Sequence, residues 1–197
     1  MRKTLRTGLL LASAAIPLAG LNASAASMID STTYGGHTYE LWADTGVSWE
    51  NALSAAVGGG GYLATLTDPA ETSAVYGDFI GTGFFTSNAG QAHQAWLGGY
   101  TTDSGFTTID PNAWAWINGD AWTAIDAGNF AAGEPNGDST GLTINRFGTS
   151  KWNDEGGTVG GYIVEKDGTR VPDSGSTLAL LASACAAMGA LGRRILK

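Results

Sequence analysis

Cysteine is nearly absent from this chain. Among its 197 residues there is one, Cys185, and it lies near the C-terminus. The body of the chain therefore has no internal disulfide, in whatever compartment it folds. Its stability has to come from side-chain packing and from any metal ion that it binds.

Charged residues are scarce and unevenly placed. Asp, Glu, Lys and Arg make up 14% of the sequence, against roughly 25% in typical proteins. All 18 acidic residues lie between Asp30 and Asp173, together with only four of the ten basic ones, so this middle segment has a net charge of −14. Such a surface repels phosphate backbones. Nucleic-acid binding through a basic face is excluded, and a cation becomes the natural ligand.

The chain also has few signs of enzymatic chemistry. We find no HExxH pair, no glycine-rich phosphate loop and no cysteine–histidine pair. His37 and His93 lie far apart in the sequence without a neighbouring ligand or nucleophile motif, and we interpret both as bystanders. A glycosidase needs only two suitably spaced carboxylates, so an enzyme stays an alternative. We predict that the chain is not an enzyme.

Glycine and tryptophan are abundant. The 30 glycines are about 15% of the chain, twice the typical share of roughly 7%, and all seven tryptophans lie in the middle segment. This aromatic content is enough to fill a core and argues against disorder. Trp114 or Trp122 is expected to be exposed. Four other tryptophans are expected in the core: Trp49, Trp96, Trp116 and Trp152.

The N-terminal 26 residues have the layout of a secretory signal. A basic start is followed by an apolar stretch from Leu9 to Leu21 and by small residues up to Ala26. We predict a signal peptide over residues 1–26 and export of the remainder. A buried N-terminal helix is the alternative.

The C-terminal residues 171–197 resemble a bacterial sorting tail. Val171-Pro172-Asp173-Ser174-Gly175 precedes an apolar run from Leu178 to Leu191, and a basic end follows. The order of these features is similar to the PEP-CTERM class in its VPDSG variant, which implies processing by an exosortase in the membrane. The apolar run is shorter than the roughly 20 residues of a comfortable transmembrane helix. The alternative is a simple C-terminal membrane anchor; in both cases the body faces outward, at the cell surface or in an extracellular matrix.

The first half of the body is predicted to contain two helices, each after a short strand. Ser48 is a suitable N-cap for a helix whose apolar residues recur at helical spacing over 49–57. Asp68-Pro69-Ala70-Glu71 supplies a cap, a first-turn proline and a capping-box glutamate for a second helix, which runs to about Ile80. The two strands are predicted at Tyr39–Trp42 and Tyr62–Leu66.

The second half is predicted to be strands and one long loop. Ala95–Gly99 and Trp114–Ile117 have strand character, and Gly161–Glu165 forms a last strand. Between Ala127 and Gly160 there is little regular periodicity but many Gly, Asn, Asp and Pro residues. Loops longer than about 15 residues in a compact domain are usually functional or disordered. Apolar residues within this one favour a functional loop.

The order of these features resembles the C-type lectin-like domain over residues 27–170. The resemblance implies an α+β fold with two early helices, antiparallel strands, a long irregular ligand-binding loop and pairing of the first and last strands. It depends on seven segments in the family's order: Ser48–Ala52, Tyr62–Leu66, Ala95–Gly99, Trp116–Gly119, Asn129–Phe130, Gly133–Asn136 and Trp152–Asp154.

The late loop is rich in residues with side-chain oxygens, the kind that bind calcium. Ca²⁺ takes six to eight oxygen ligands, which Asp, Glu and Asn supply. The resemblance implies that Glu134 and Asn136 flank a cis proline and that Asn153 and Asp154 form the opposite wall, with Asp138 as a further candidate ligand. The same Glu134, Asn136, Asn153 and Asp154 would bind a sugar diol. In the family, Glu-Pro-Asn is typical of mannose- or glucose-type diols.

Two departures from the family weaken the expected calcium site. Many members have a Glu between the two motifs, where this chain offers Asp138 and has Ser139 or Thr140 at the Glu position. The family's disulfides are also missing. All four expected ligands could instead be turn formers, since Asn, Asp, Pro and Gly populate turns for backbone reasons alone.

Calcium-dependent binding of a carbohydrate or exopolysaccharide is therefore the predicted function. The partners are the glycan, an exosortase-type enzyme and, through the tail, the membrane. A lectin-like domain that binds protein or has a structural role without calcium is the main alternative.

Overall fold

The computed structural model describes residues 25–86, 90–101, 113–137 and 139–168. Nearly all of the predicted signal peptide and the whole predicted sorting tail lie outside the described residues, as does Asp138. In the described part of the chain, no helix is long and apolar enough to cross a membrane.

The helices begin where the capping residues predict. Helix α1 is Trp49–Gly58, and the Ser48 side chain accepts a hydrogen bond from the backbone of Asn51. Helix α2 is Pro69–Phe79, with Asp68 as its N-cap and a 3₁₀ turn at Ile80–Thr82 after it. A third helix, α3, covers only Ala124–Ala127.

Eight strands form one sheet within the described residues. Six follow one another across it in the order β1-β2-β8-β4-β6-β7, while β3 pairs with β8 and β5 with β4. All pairs are antiparallel except β4 and β8. The strands are β1 Ser27–Tyr34, β2 His37–Val47, β3 Tyr62–Leu63, β4 Ala95–Thr101, β5 Trp114–Trp116, β6 Gly141–Ile144, β7 Trp152–Glu155 and β8 Val159–Asp167.

The buried residues form two clusters on opposite faces of the sheet. Successive side chains of a strand point to opposite faces, and in β8 Ile163 joins the cluster that includes α2, whereas Tyr162 and Val164 join the cluster that includes α1. The larger cluster contains Trp114, which is 4% exposed. Its ring stacks on that of Trp122, which is partly buried against the same cluster. The expectation that Trp114 or Trp122 is exposed is therefore wrong.

The structure differs from the sequence expectations mainly in the late loop. The segment predicted as irregular contains β6 and β7, which pair with each other over four residues. The strand predicted at Tyr62–Leu66 is only Tyr62–Leu63. The expected pairing of the first and last predicted strands is confirmed, because Tyr39–Trp42 lies in β2 and pairs with β8. The additional strand β1 precedes β2 and forms a hairpin with it.

Candidate functional site

The start of the late loop is held against strand β7 by backbone hydrogen bonds. The Trp152 N–H donates to Asn129 O at 3.0 Å, and the Ala131 N–H donates to Trp152 O at 2.9 Å. Beneath these bonds Trp152 is fully buried and packs edge-to-face on Phe130 and on Trp116. The aromatic cluster therefore fixes the position of the two residues that follow Trp152.

Asn153 and Asp154 are those two residues, and both are buried, with 5% and 1% of their surface exposed. The Asp154 Oδ1 accepts from the Asn136 N–H at 3.1 Å and Oδ2 from the Gly137 N–H at 3.0 Å. The Asn153 Nδ2 donates to the Asp154 carbonyl oxygen at 2.6 Å. The Trp152–Asp154 motif thus holds the loop that carries the Glu134–Asn136 motif.

The Glu134–Pro135 peptide bond is cis, as the resemblance to the lectin-like domains implies. Glu134 is half-buried and Asn136 is exposed. The structure brings the Glu134–Gly137 segment against Asp154, so four of the five predicted site residues lie in one place. The fifth, Asp138, lies outside the described residues.

Asp154 is a buried carboxylate without an ion pair in the part of the chain that the structure describes. Its hydrogen-bond partners there are the two backbone N–H groups. Buried charges in proteins are usually paired or coordinate a metal. Each carboxylate oxygen has more than one lone pair, so the carboxylate can bind a cation while it keeps both hydrogen bonds.

Ser139 and Thr140, the candidates for the position of the family's intermediate Glu, come directly before β6. Ser139 is buried, and the Thr140 carbonyl oxygen accepts from the Thr101 N–H at 3.0 Å. Gly137–Gly141 also has the GxSxG spacing of a nucleophile elbow, but an elbow needs its serine between a strand and a helix. Here the serine leads into a strand, so this segment is not an elbow.

A second polar cluster, which the sequence did not reveal, surrounds Glu165 near the end of β8. This residue is 2% exposed, and burial raises the pKa of its carboxyl group, while hydrogen bonds from Thr65 and Tyr62 act in the opposite direction. Burial, together with hydrogen bonds to Asp167 and Glu165, also raises the pKa of Tyr62, which keeps it a hydroxyl donor. His37 belongs to this cluster too, because its Nδ1 lies 2.9 Å from Glu165 Oε1. The sequence, which shows no ligand motif near His37, did not reveal this contact.

Solved structures with the same fold include sugar-binding and calcium-independent proteins. The C-type lectin CEL-I from Cucumaria echinata is 23% identical, with a TM-score of 0.52, and the match covers 69% of this chain and 94% of that one. The carbohydrate-recognition domain of cow CD23, crystallised with GlcNAc2Man3 oligosaccharide, is 18% identical, with a TM-score of 0.51 and coverage of 71% and 94%. A calcium-independent type II antifreeze protein is 18% identical, with a TM-score of 0.51 and coverage of 72% and 96%.

No protein-family model matches the chain, and no curated protein matches it. The likeness to solved structures extends over almost the whole length of each neighbour. The chain has few helices and a sheet that is mostly antiparallel, arranged as in these neighbours. It therefore has the C-type lectin-like fold.

Proposed function

We propose that this chain is a calcium-dependent carbohydrate-binding protein. The observation that carries the proposal is the buried carboxylate of Asp154, which joins the Trp-Asn-Asp strand to the Glu-Pro-Asn loop and has no ion pair within the described residues. Glu134, Asn136, Asn153 and Asp154 offer side-chain oxygens and the Asp154 carbonyl a further one. This all-oxygen set suits Ca²⁺.

The sugar class follows from the identity of the paired residues. At such a site each hydroxyl of a diol coordinates the metal, donates a hydrogen bond to a carboxylate and accepts one from an amide. With Glu at 134 and Asn at 136, the resemblance favours mannose- or glucose-type diols. Neighbours of this fold crystallised with carbohydrate support the ligand class.

The location of the protein is part of the proposal. We infer export through the signal-like residues 1–26 and processing of the VPDSG tail by an exosortase, which would leave the domain at the cell surface or in an exopolysaccharide matrix. The support is the order of motif, apolar run and basic end in the sequence. With many copies on a surface, weak single-site affinities add up to useful avidity.

A calcium titration of the purified full-length chain tests the proposal. Extracellular calcium modules bind at about 10⁻⁴ to 10⁻³ M, so about 10 mM calcium is expected to raise the melting temperature by roughly 3 to 10 °C. Calorimetry and thermal unfolding should both show the effect. Asn153→Ala is expected to abolish it, whereas Asn51→Ala, at an exposed position of α1, should leave it unchanged.

The same titration separates the proposal from its alternative. The hydrogen bonds of Asp154 hold the loop without an ion, and one neighbour of this fold is described as calcium-independent. A folded chain that binds no calcium at several times 10⁻³ M would favour a protein-binding or structural role. If the chain binds calcium but no mannose- or glucose-type sugar, the proposed metal site stands and the proposed sugar ligand is refuted.

A further inference from the structure

The polar cluster at Glu165 contains three metal-ligating side chains whose donor atoms converge. The His37 Nδ1 lies 2.9 Å from Glu165 Oε1 and 3.3 Å from Asp167 Oδ1, and one donor atom from each of the three residues lies within 4.8 Å of the other two. His37 begins β2, and the two carboxylates come from the end of β8, where the strands pair. The strand register, rather than a flexible loop, sets these positions.

The buried His37 Nδ1 makes no hydrogen bond in spite of these short distances. Neither oxygen lies in the direction that an N–H bond would take, so the contact is not an ordinary donor–acceptor pair. Ligands around a tetrahedral ion at about 2.0 to 2.1 Å are themselves about 3.3 Å apart. The observed separations of 2.9 and 3.3 Å are close to that value.

The carboxylate of Glu165 is held in place from its other side. Its Oε2 accepts hydrogen bonds from the Thr65 N–H and hydroxyl, each at 2.9 Å, which leaves Oε1 directed toward the cluster. The Tyr62 hydroxyl donates to Glu165 Oε1 at 2.9 Å and to Asp167 Oδ1 at 2.8 Å. One hydroxyl proton cannot fully serve two carboxylates. Outer contacts of this kind orient the ligands of metal sites.

The charge of the cluster is unbalanced. Within the described residues, Glu165 has no ion pair with Lys or Arg, and the neighbouring Lys166 pairs with Glu40. The short contact of Glu165 with His37 is an ion pair only if the imidazole is protonated. The cluster forms part of the walls of two cavities, of about 310 and 510 Å³. The Asp167 side chain is 73% exposed, so an ion can approach the cluster from the side of this residue.

We propose that His37, Glu165 and Asp167 form a second metal site, one that takes zinc or a similar transition-metal ion. An imidazole nitrogen with two carboxylates suits Zn²⁺, Ni²⁺ or Cu²⁺, whereas the all-oxygen set of the late loop suits Ca²⁺. The two sites lie on strands separated by β4 and β6, and at about 4.8 Å per strand β7 and β8 are roughly 14 Å apart. The zinc site therefore does not depend on the calcium site.

Metal titration of the full-length chain tests this site. A Cys185→Ser background removes the one thiol, and Co²⁺ serves as a coloured probe of tetrahedral coordination beside Zn²⁺ in competition calorimetry. One equivalent of zinc is expected to bind, and excess calcium should not displace it. His37→Gln and Asp167→Asn, at partly exposed side chains that should permit folding, are each expected to weaken zinc binding by about 10- to 100-fold or more.

His93→Gln is the matched control, since His93 is the other histidine of the chain and its Nδ1 instead contacts the Phe84 carbonyl oxygen. It is expected to leave zinc affinity and the cobalt absorption bands unchanged, whereas His37→Gln removes the bands. Equal zinc affinity in the His37 variant and the parent would overturn the assignment. So would loss of zinc binding in Asn153→Ala, or the absence of zinc binding by the folded parent at metal concentrations well above that of the protein.

Discussion

At the scale of single residues, Asp154 is the point where the sheet holds the late loop. Its two carboxylate oxygens accept the N–H groups of two successive residues, Asn136 and Gly137. Hydrogen bonds to a charged acceptor contribute about 1.5 to 3 kcal/mol. These bonds hold the loop against β7, so the proposed ion would lose less affinity to ordering of the loop on binding.

The paired side chains of the loop also carry a prediction about sugar choice. Glu134→Gln together with Asn136→Asp exchanges the carboxylate and the amide and keeps the net charge. The hydrogen-bond donor and acceptor directions at the diol are then reversed, so preference is expected to shift from mannose-type toward galactose-type sugars, as the family pattern implies. Glycan-array binding and competition by free monosaccharides measure the shift.

Calcium affinity of this double variant is the control, because the number of carboxylates is unchanged. A folded variant that binds calcium and keeps the parent's sugar preference would contradict the prediction.

At the scale of elements, the close contact between β8 and the 3₁₀ turn Gln91–His93 requires glycine. A Cβ at Gly160 would lie 1.9 Å from the Ala92 carbonyl oxygen, which is backbone and cannot move away alone. Overpacking of this kind costs about 1 to 3 kcal/mol. Gly160→Ala is expected to lower the free energy of unfolding by this amount, measured by urea denaturation.

Gly77→Ala is the matched substitution, since Gly77 lies exposed in α2 and a Cβ there meets no atom within 4 Å. Alanine is the better helix former by about 0.5 to 1 kcal/mol, so this variant should be more stable than the parent. If both substitutions changed the free energy of unfolding in the same direction, the close contact between Gly160 and Ala92 would not be the cause.

The elements also show which features sequence reasoning can reach. The caps at Ser48 and Asp68 are local signals, and both helices begin where these signals predict. Strand β6 is four residues long and exists through its pairing with β4 and β7, which no local pattern reveals. Helix α3 did have a local signal, the Thr123–Asp126 capping box, and its shortness hid it.

The two candidate sites differ in the same way. The Glu-Pro-Asn and Trp-Asn-Asp motifs made the late loop recognisable from the sequence. Glu165 contacts Thr65 from 100 positions away, and its charge at the end of an apolar strand was the only local sign of the cluster. Distant pairing, here of β8 with β2 and β3, brought those ligands together.

At the scale of the whole molecule, the sheet depends on β8. This strand lies between β2 and β4, so its removal separates the β1-β2 hairpin from the strands β4 to β7. Neither part alone forms the two buried clusters, to which β8 contributes on both faces. A chain that ends at Thr158 is expected to show no cooperative unfolding transition, whereas a chain that ends at Gly168 should melt like the full-length protein.

Circular dichroism and amide hydrogen exchange measure both chains. Protected amides in β4 and β6 of the shorter chain would contradict the dependence on β8.

The central position of β8 also determines when the protein can fold. A chain that emerges from its amino end first can form the β1-β2 hairpin early, but β8, the strand that joins β2 to β4, appears last. Contacts such as Lys166 with Glu40 join residues 126 positions apart. Folds dominated by such distant contacts form slowly. During synthesis the complete sheet and its two buried clusters therefore cannot form until the end of the body has appeared. A chain without them can still be threaded through a narrow channel.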